Sequence, residues 1–92
     1  MYLEKRKKKI IYNITSTEDY ASSQVLQLIK NGNKYRVELY NRETKELAGI
    51  LLNNIEQATS IYKKFVDFMI RGLYSFEQRK NILEKNGEYY GN

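Results

Sequence analysis

The chain has 92 residues, of which 41% are hydrophobic and 29% charged, with no cysteine and no histidine. That length suits one small domain with a thin core, and the missing residue types exclude a disulfide framework, a thiolate nucleophile, the usual zinc ligand sets and the commonest general base. The net charge of +5 is uneven: residues 1–9 hold five basic side chains and one acidic, whereas the other 83 hold 11 and 10.

The basic run Lys5, Arg6, Lys7, Lys8 and Lys9 makes 1–9 a charged arm. Too few apolar residues follow it for a secretory leader. Nowhere do the roughly 18 apolar residues of a spanning helix run together, so the protein is expected in the cytoplasm. Ile10, Ile11, Tyr12 and Ile14 predict a strand over 9–15. Residues 16–23 are polar and read as a connection. QVLQLIK (24–30) and KYRVELY (34–40) flank Asn31-Gly32-Asn33. An Asn-Gly pair between two such runs predicts a hairpin with a type I′ turn. In the second run Tyr35, Val37 and Leu39 alternate with Arg36, Glu38 and Tyr40, giving one buried and one wet face. A helix over 17–30, capped by Thr17 and stopped at Asn31-Gly32, is the competing reading. After a polar turn, ELAGILLN (46–53) is a strand apolar on both faces and needs cover on both. The N-terminal strand, the C-terminal helix or a second copy are candidates for that cover.

Asn54-Ile55-Glu56-Gln57 is a capping-box variant that opens a helix. Ile55, Ala58, Tyr62, Phe65 and Met69 recur at helical spacing, and Gly72 is the stop. Val66, Ile70 and Leu73 widen that stripe beyond what a small sheet covers, and with Tyr40 they form a candidate partner or dimer surface. Ser75-Phe76-Glu77-Gln78 opens a second, shorter helix, and the tail after Asn86-Gly87 is expected to be loose. The predicted fold is α+β: an antiparallel three- to four-stranded β-sheet, a meander over about 24–53, packed by a long helix over about 54–72, with a shorter one over about 75–85. As domains, 1–9 is the arm, 10–86 the body and 87–92 the tail.

Lysines near phosphates release counterions, which gives affinity without sequence choice. Lys5 to Lys9, with Arg36, are therefore candidate RNA or DNA phosphate contacts. The same run also serves as a solvated end, or as an electrostatic contact to an anionic membrane surface, although no amphipathic helix follows it. Tyr40 is the one evident base-stacking platform on the wet face, while Tyr35 and Tyr62 fall on inward stripes. Glu43-Thr44-Lys45 matches half of a metal-dependent nuclease signature, with Asp19 or Glu38 as upstream partner. That chemistry needs carboxylates on a rigid strand edge, whereas Glu43 and Lys45 fall in a turn. There is no glycine-rich phosphate loop. No catalytic residue, metal ligand or cofactor is assigned, and the protein is expected not to be an enzyme.

KYRVELYNRETKELAGILLNNIEQAT (34–59) resembles the three-stranded sheet and helix of the AP2-like arm-binding domains of phage integrases. The resemblance implies a sheet face that reads DNA. Such faces are basic, and here Arg36 stands against Glu38. Residue usage dominated by Lys, Asn, Ile and Tyr, in a short chain without Cys or His, is similar in style to small phage proteins that dock on a host machine, anti-CRISPR proteins among them. The expected function is non-catalytic: the body occludes a host nucleoprotein complex while Lys5 to Lys9 touch its RNA or DNA phosphates. The alternatives are a direct DNA- or RNA-binding module and a homodimeric interaction domain.

Overall fold

The computed structural model describes residues 8–15, as backbone, and 24–91. Strands β1 (Lys8–Thr15), β2 (Gln24–Asn31), β3 (Lys34–Asn41) and β4 (Glu46–Leu52) form an antiparallel meander. Helices α1 (Ile55–Arg71) and α2 (Phe76–Glu84) follow, and a last strand β5 (Glu88–Gly91) pairs antiparallel with β4. The α+β fold, the meander and both helices are those expected from the sequence. The sheet has one strand more, because residues 88–91, expected to be loose, form β5 at its edge. Of the competing helix over 17–30, residues 24–30 are strand and 17–23 lie outside the described residues.

The β2–β3 hairpin shows how local chemistry sets register. Asn31 pairs with Lys34, so Gly32 and Asn33 are the two loop residues. Positive φ is confined to Gly32, at 67°, which is the requirement of a type II′ turn and not of the expected type I′. The β3–β4 loop is built on Asn41, whose Oδ1 accepts from the amides of Glu43 (2.9 Å) and Thr44 (3.3 Å). An Asx turn of this kind lets a polar side chain replace a backbone acceptor. The loop closes with the Lys45 amide donating to the Asn41 carbonyl at 2.7 Å, while Lys45 sits in the left-handed region at φ 63°.

Register divides the side chains between two faces. Leu26, Leu28, Val37, Leu39, Ala48, Ile50 and Leu52 face the helices and meet Ala58, Ile61, Tyr62, Phe65 and Met69 of α1 and Phe76 and Leu83 of α2. Each Val, Leu, Ile, Phe or Met among them contributes about 1.5–3 kcal/mol when fully buried. The Asn54 side chain caps α1 by accepting from the Gln57 amide at 3.0 Å. Gly72 at φ 64° ends it, with Gly72 donating to Met69 (3.3 Å) and Leu73 to Phe68 (2.8 Å), the paired bonds of a Schellman motif. Ser75 and Gln78 exchange side-chain and backbone bonds at 3.2 and 2.9 Å to open α2 as a capping box.

Arg79 joins these parts. It is only 5% exposed, on the inward stripe of α2 between Phe76 and Leu83. Its Nε donates to the Leu73 carbonyl (2.8 Å), Nη2 to the Phe68 carbonyl (3.3 Å) and Nη1 to Gln24 Oε1 (2.9 Å). A cation is favoured at a helix C-terminus, where orphan carbonyls gather. One guanidinium thus fixes the end of α1, the turn after it and the start of β2.

The strand with two apolar faces is covered differently on each side. Ala48, Ile50 and Leu52 of β4 lie under the helices. On the other face the Tyr90 ring of β5 crosses Gly49, between half-buried Leu47 and Leu51. That cover comes from the segment expected to be a loose tail.

Candidate anion-binding surface

The pairing of β1 with β2 brings the end of the basic run to the β2–β3 hairpin. Lys8 lies opposite Asn31 and Lys9 opposite Lys30, and Asn31 in turn pairs with Lys34. Four lysines therefore occupy neighbouring backbone positions at one end of the sheet. Lys30 and Lys34 are exposed, and neither forms an ion pair with a described residue. In the β1–β2 register two lysines, Lys9 and Lys30, take directly opposite positions. Lysines on an edge strand also discourage pairing with foreign strands, a purely structural use of Lys8 and Lys9. Lys5, Arg6 and Lys7 lie outside the described residues.

Arg36 is on the sheet face turned away from the helices, two residues along β3 from Lys34 and on the same side. It is not a free cation. Its guanidinium carbon lies 5.3 Å from the centroid of the Tyr90 ring, and its Nη1 is 4.0 Å from Glu38 Oε2. Its Nε is enclosed without a hydrogen-bond partner; an unmet buried donor costs about 1–3 kcal/mol. Glu38 accepts a short hydrogen bond from the Tyr90 phenol. Burial first, then that bond and the carboxylate's charge, push the phenol far above its ordinary value, with Arg36 opposing. The phenol is therefore a fixed donor. A charge-assisted bond of this kind holds Glu38 in place beneath Arg36.

The other sequence candidates are spread over the molecule. Tyr40 is half-buried on the outer face, paired with Val25 and Leu47. Val25 and Ile29 on that face are 9% and 1% exposed, so its accessible part is the β3–β4–β5 side. On α1, Val66 packs against the core while Ile70 is 69% exposed, and Leu73, just past the helix end, is half-buried. Tyr35 and Tyr62 belong to the core cluster or pack against it. Glu43 and Lys45 lie in the β3–β4 loop, Glu38 is held by Tyr90, and Asp19 lies outside the described residues. Sequence reading missed Tyr90, Gly49 and Arg79. The signal for the first two was a glycine inside an apolar strand, which often marks a close approach by another group.

Among the described residues no helix is long and apolar enough to cross a membrane. Comparison with protein-family models, with curated proteins and with solved structures finds no match to the chain.

Proposed function

We propose that the protein is a non-catalytic binding protein that docks on a nucleoprotein complex, holding nucleic-acid phosphates at the lysine-rich end of its sheet and a protein surface along the free flank of α1. The observation that carries this reading is the backbone register that gathers Lys8, Lys9, Lys30 and Lys34 around the β2–β3 hairpin, with Lys30 at a position on the helix side of the sheet and Lys34 on the outer side with Arg36. A polyanion is the ligand that such a cluster stabilises, because each neutralised phosphate releases counterions. The protein side of the contact is the apolar flank on which Ile70 stands out.

The test is binding of labelled RNA and DNA by the full chain across a range of salt. In Lys30→Glu/Lys34→Glu, affinity falls and the slope of log affinity against log salt loses about 0.7–0.9 per phosphate contact, so nearly two in all. The control is Lys63→Glu/Lys64→Glu, which makes the same charge change on α1. If both double variants weaken binding equally, only net charge matters and the hairpin end is not a site.

A further inference from the structure

The lysines at the hairpin end are divided between the two faces of the sheet. Lys30 follows Leu26 and Leu28 on the helix side, opposite Tyr35, while Lys34 stands with Arg36 on the outer side. The β1–β2 register repeats the division, with Lys9 opposite Lys30 and Lys8 level with Asn31 and Lys34. Between the two faces the tip Asn31-Gly32-Asn33 runs one pair past the end of β4, whose last residue, Leu52, pairs with Tyr35. Gly32, Asn33 and the lysines on either side are exposed, and a Cβ on Gly32 would meet nothing within 4 Å. Among the described residues none bonds the Asn33 side-chain amide.

We infer that this hairpin end enters the major groove of a B-form DNA duplex edge-on, with Lys30 and Lys34 reaching the phosphates of its two walls. The inference rests on the phosphate-binding reading above and names its ligand. A single strand laid along one face leaves the lysine of the other face unused, whereas the two backbones that bound a groove lie on either side of whatever enters it. Stacked sheets pack about 10 Å apart, so a ribbon with side chains on both faces is roughly that thick. The major groove of B-DNA, about 12 Å wide, admits such a two-stranded ribbon, and the minor groove, at about 6 Å, does not. An RNA duplex fails the same measure, because its A-form major groove is deep and narrow. Residues 24–37 contain no carboxylate to repel the phosphates, and the next residue of β3, Glu38, is held by the Tyr90 phenol. At the leading edge Asn33 then meets base edges, where an asparagine amide pairs bidentately with N6 and N7 of adenine.

Fluorescence anisotropy on the full chain, comparing a DNA duplex of about two helical turns with the RNA duplex and the DNA single strand of the same sequence, tests this. The DNA duplex is expected to bind tighter than either by roughly tenfold or more. A DNA duplex whose cytosines carry glucosyl groups at C5, which fill the major groove, loses that advantage. Lys30→Gln and Lys34→Gln, both at exposed positions, each take about 0.9 from the slope of log affinity against log salt, one phosphate from each wall. Asn33→Ala keeps that slope and lowers duplex affinity by about 5- to 150-fold, the equivalent of one bidentate base contact; wild-type affinity in this variant overturns the base contact. Three results overturn groove entry and leave the lysine-rich end standing: an RNA duplex or single strand bound as tightly as the DNA duplex, a glucosylated duplex bound as tightly as the plain one, or a slope lowered by one lysine variant alone. If no nucleic acid binds at low salt, the phosphate reading falls and groove entry falls with it.

Discussion

Tyr90 shows how one side chain carries both a structural and a chemical consequence. Its phenol is pushed well above the ordinary value of 10.0 by burial, by the bond to Glu38 and by that carboxylate's charge. In the unfolded chain the phenol loses its proton near pH 10, while in the folded chain it keeps it, so above pH 10 the unfolded state binds fewer protons. Stability from this group is therefore fully present below pH 10 and declines as pH rises beyond it, by up to about 1.4 kcal/mol per pH unit. Denaturant melts between about pH 9 and 11.5 check this: wild type is expected to lose stability more steeply than Tyr90→Phe, which has no proton to lose there. At neutral pH the same substitution costs about 1–3 kcal/mol, since it leaves Glu38 without its donor. Little of this was legible in the sequence. The alternation of β3 correctly put Arg36, Glu38 and Tyr40 on one face. Nothing local announced that Tyr90, 52 residues beyond Glu38, would come to lie on it. Contacts of that range are set by topology and not by residue type.

Among the elements, those with strong local chemistry were legible and those without it were not. Asn54 and Ser75 opened their helices as read, and Gly72 closed α1, because cap geometry is decided within a few residues. The β2–β3 hairpin was found, but its loop was placed one residue early: Asn31 remains in the ladder and Gly32 takes the first loop position. β5 was missed because four residues after a glycine carry too little pattern to announce a strand. Arg79 was missed because an arginine on an otherwise apolar stripe reads as solvated. Its three bonds make the sharpest prediction at this scale. Arg79→Met fills similar space but removes the donor to the Leu73 carbonyl and one of the donors to the Phe68 carbonyl and Gln24, and is expected to lose about 1–3 kcal/mol in urea denaturation. Arg79→Lys keeps the charge yet cannot reach three acceptors at once, and recovers only part of that loss.

For the whole molecule the sequence reading held the composition of the surface but not its arrangement. The basic run was evident, and so was the surplus of apolar residues on α1. That Lys8 and Lys9 would sit beside Lys30 and Lys34 follows from the β1–β2 register, which residue type alone does not determine, since a slip of one position changes every partner. The same applies to α1, where spacing grouped Val66, Ile70 and Leu73 but packing leaves Ile70 by far the most exposed of them, at 69%. Ile70→Lys is expected to change folding stability by no more than about 0.5 kcal/mol, as substitutions at exposed positions do. If that flank is the protein-docking surface, the variant loses a protein partner while keeping its salt-dependent binding of nucleic acid. Mass in solution and a melting curve on the same sample separate that outcome from misfolding or from a disrupted homodimer.

The position of β5 also bears on how the chain reaches its native state. β2, β3 and β4 pair with near neighbours across short loops, so these contacts close at little entropic expense and form early. β5 pairs with β4 across both helices, the longest connection between paired strands among the described residues, so its closure costs the most chain entropy and is expected to come last. Until then β4 shows an open edge and the bare backbone of Gly49, the condition in which a half-formed sheet is most prone to join another. Interactions made after the rate-limiting step govern unfolding more than folding. The Tyr90–Glu38 latch thus belongs to the lifetime of the native sheet, and hardly at all to the speed with which it forms.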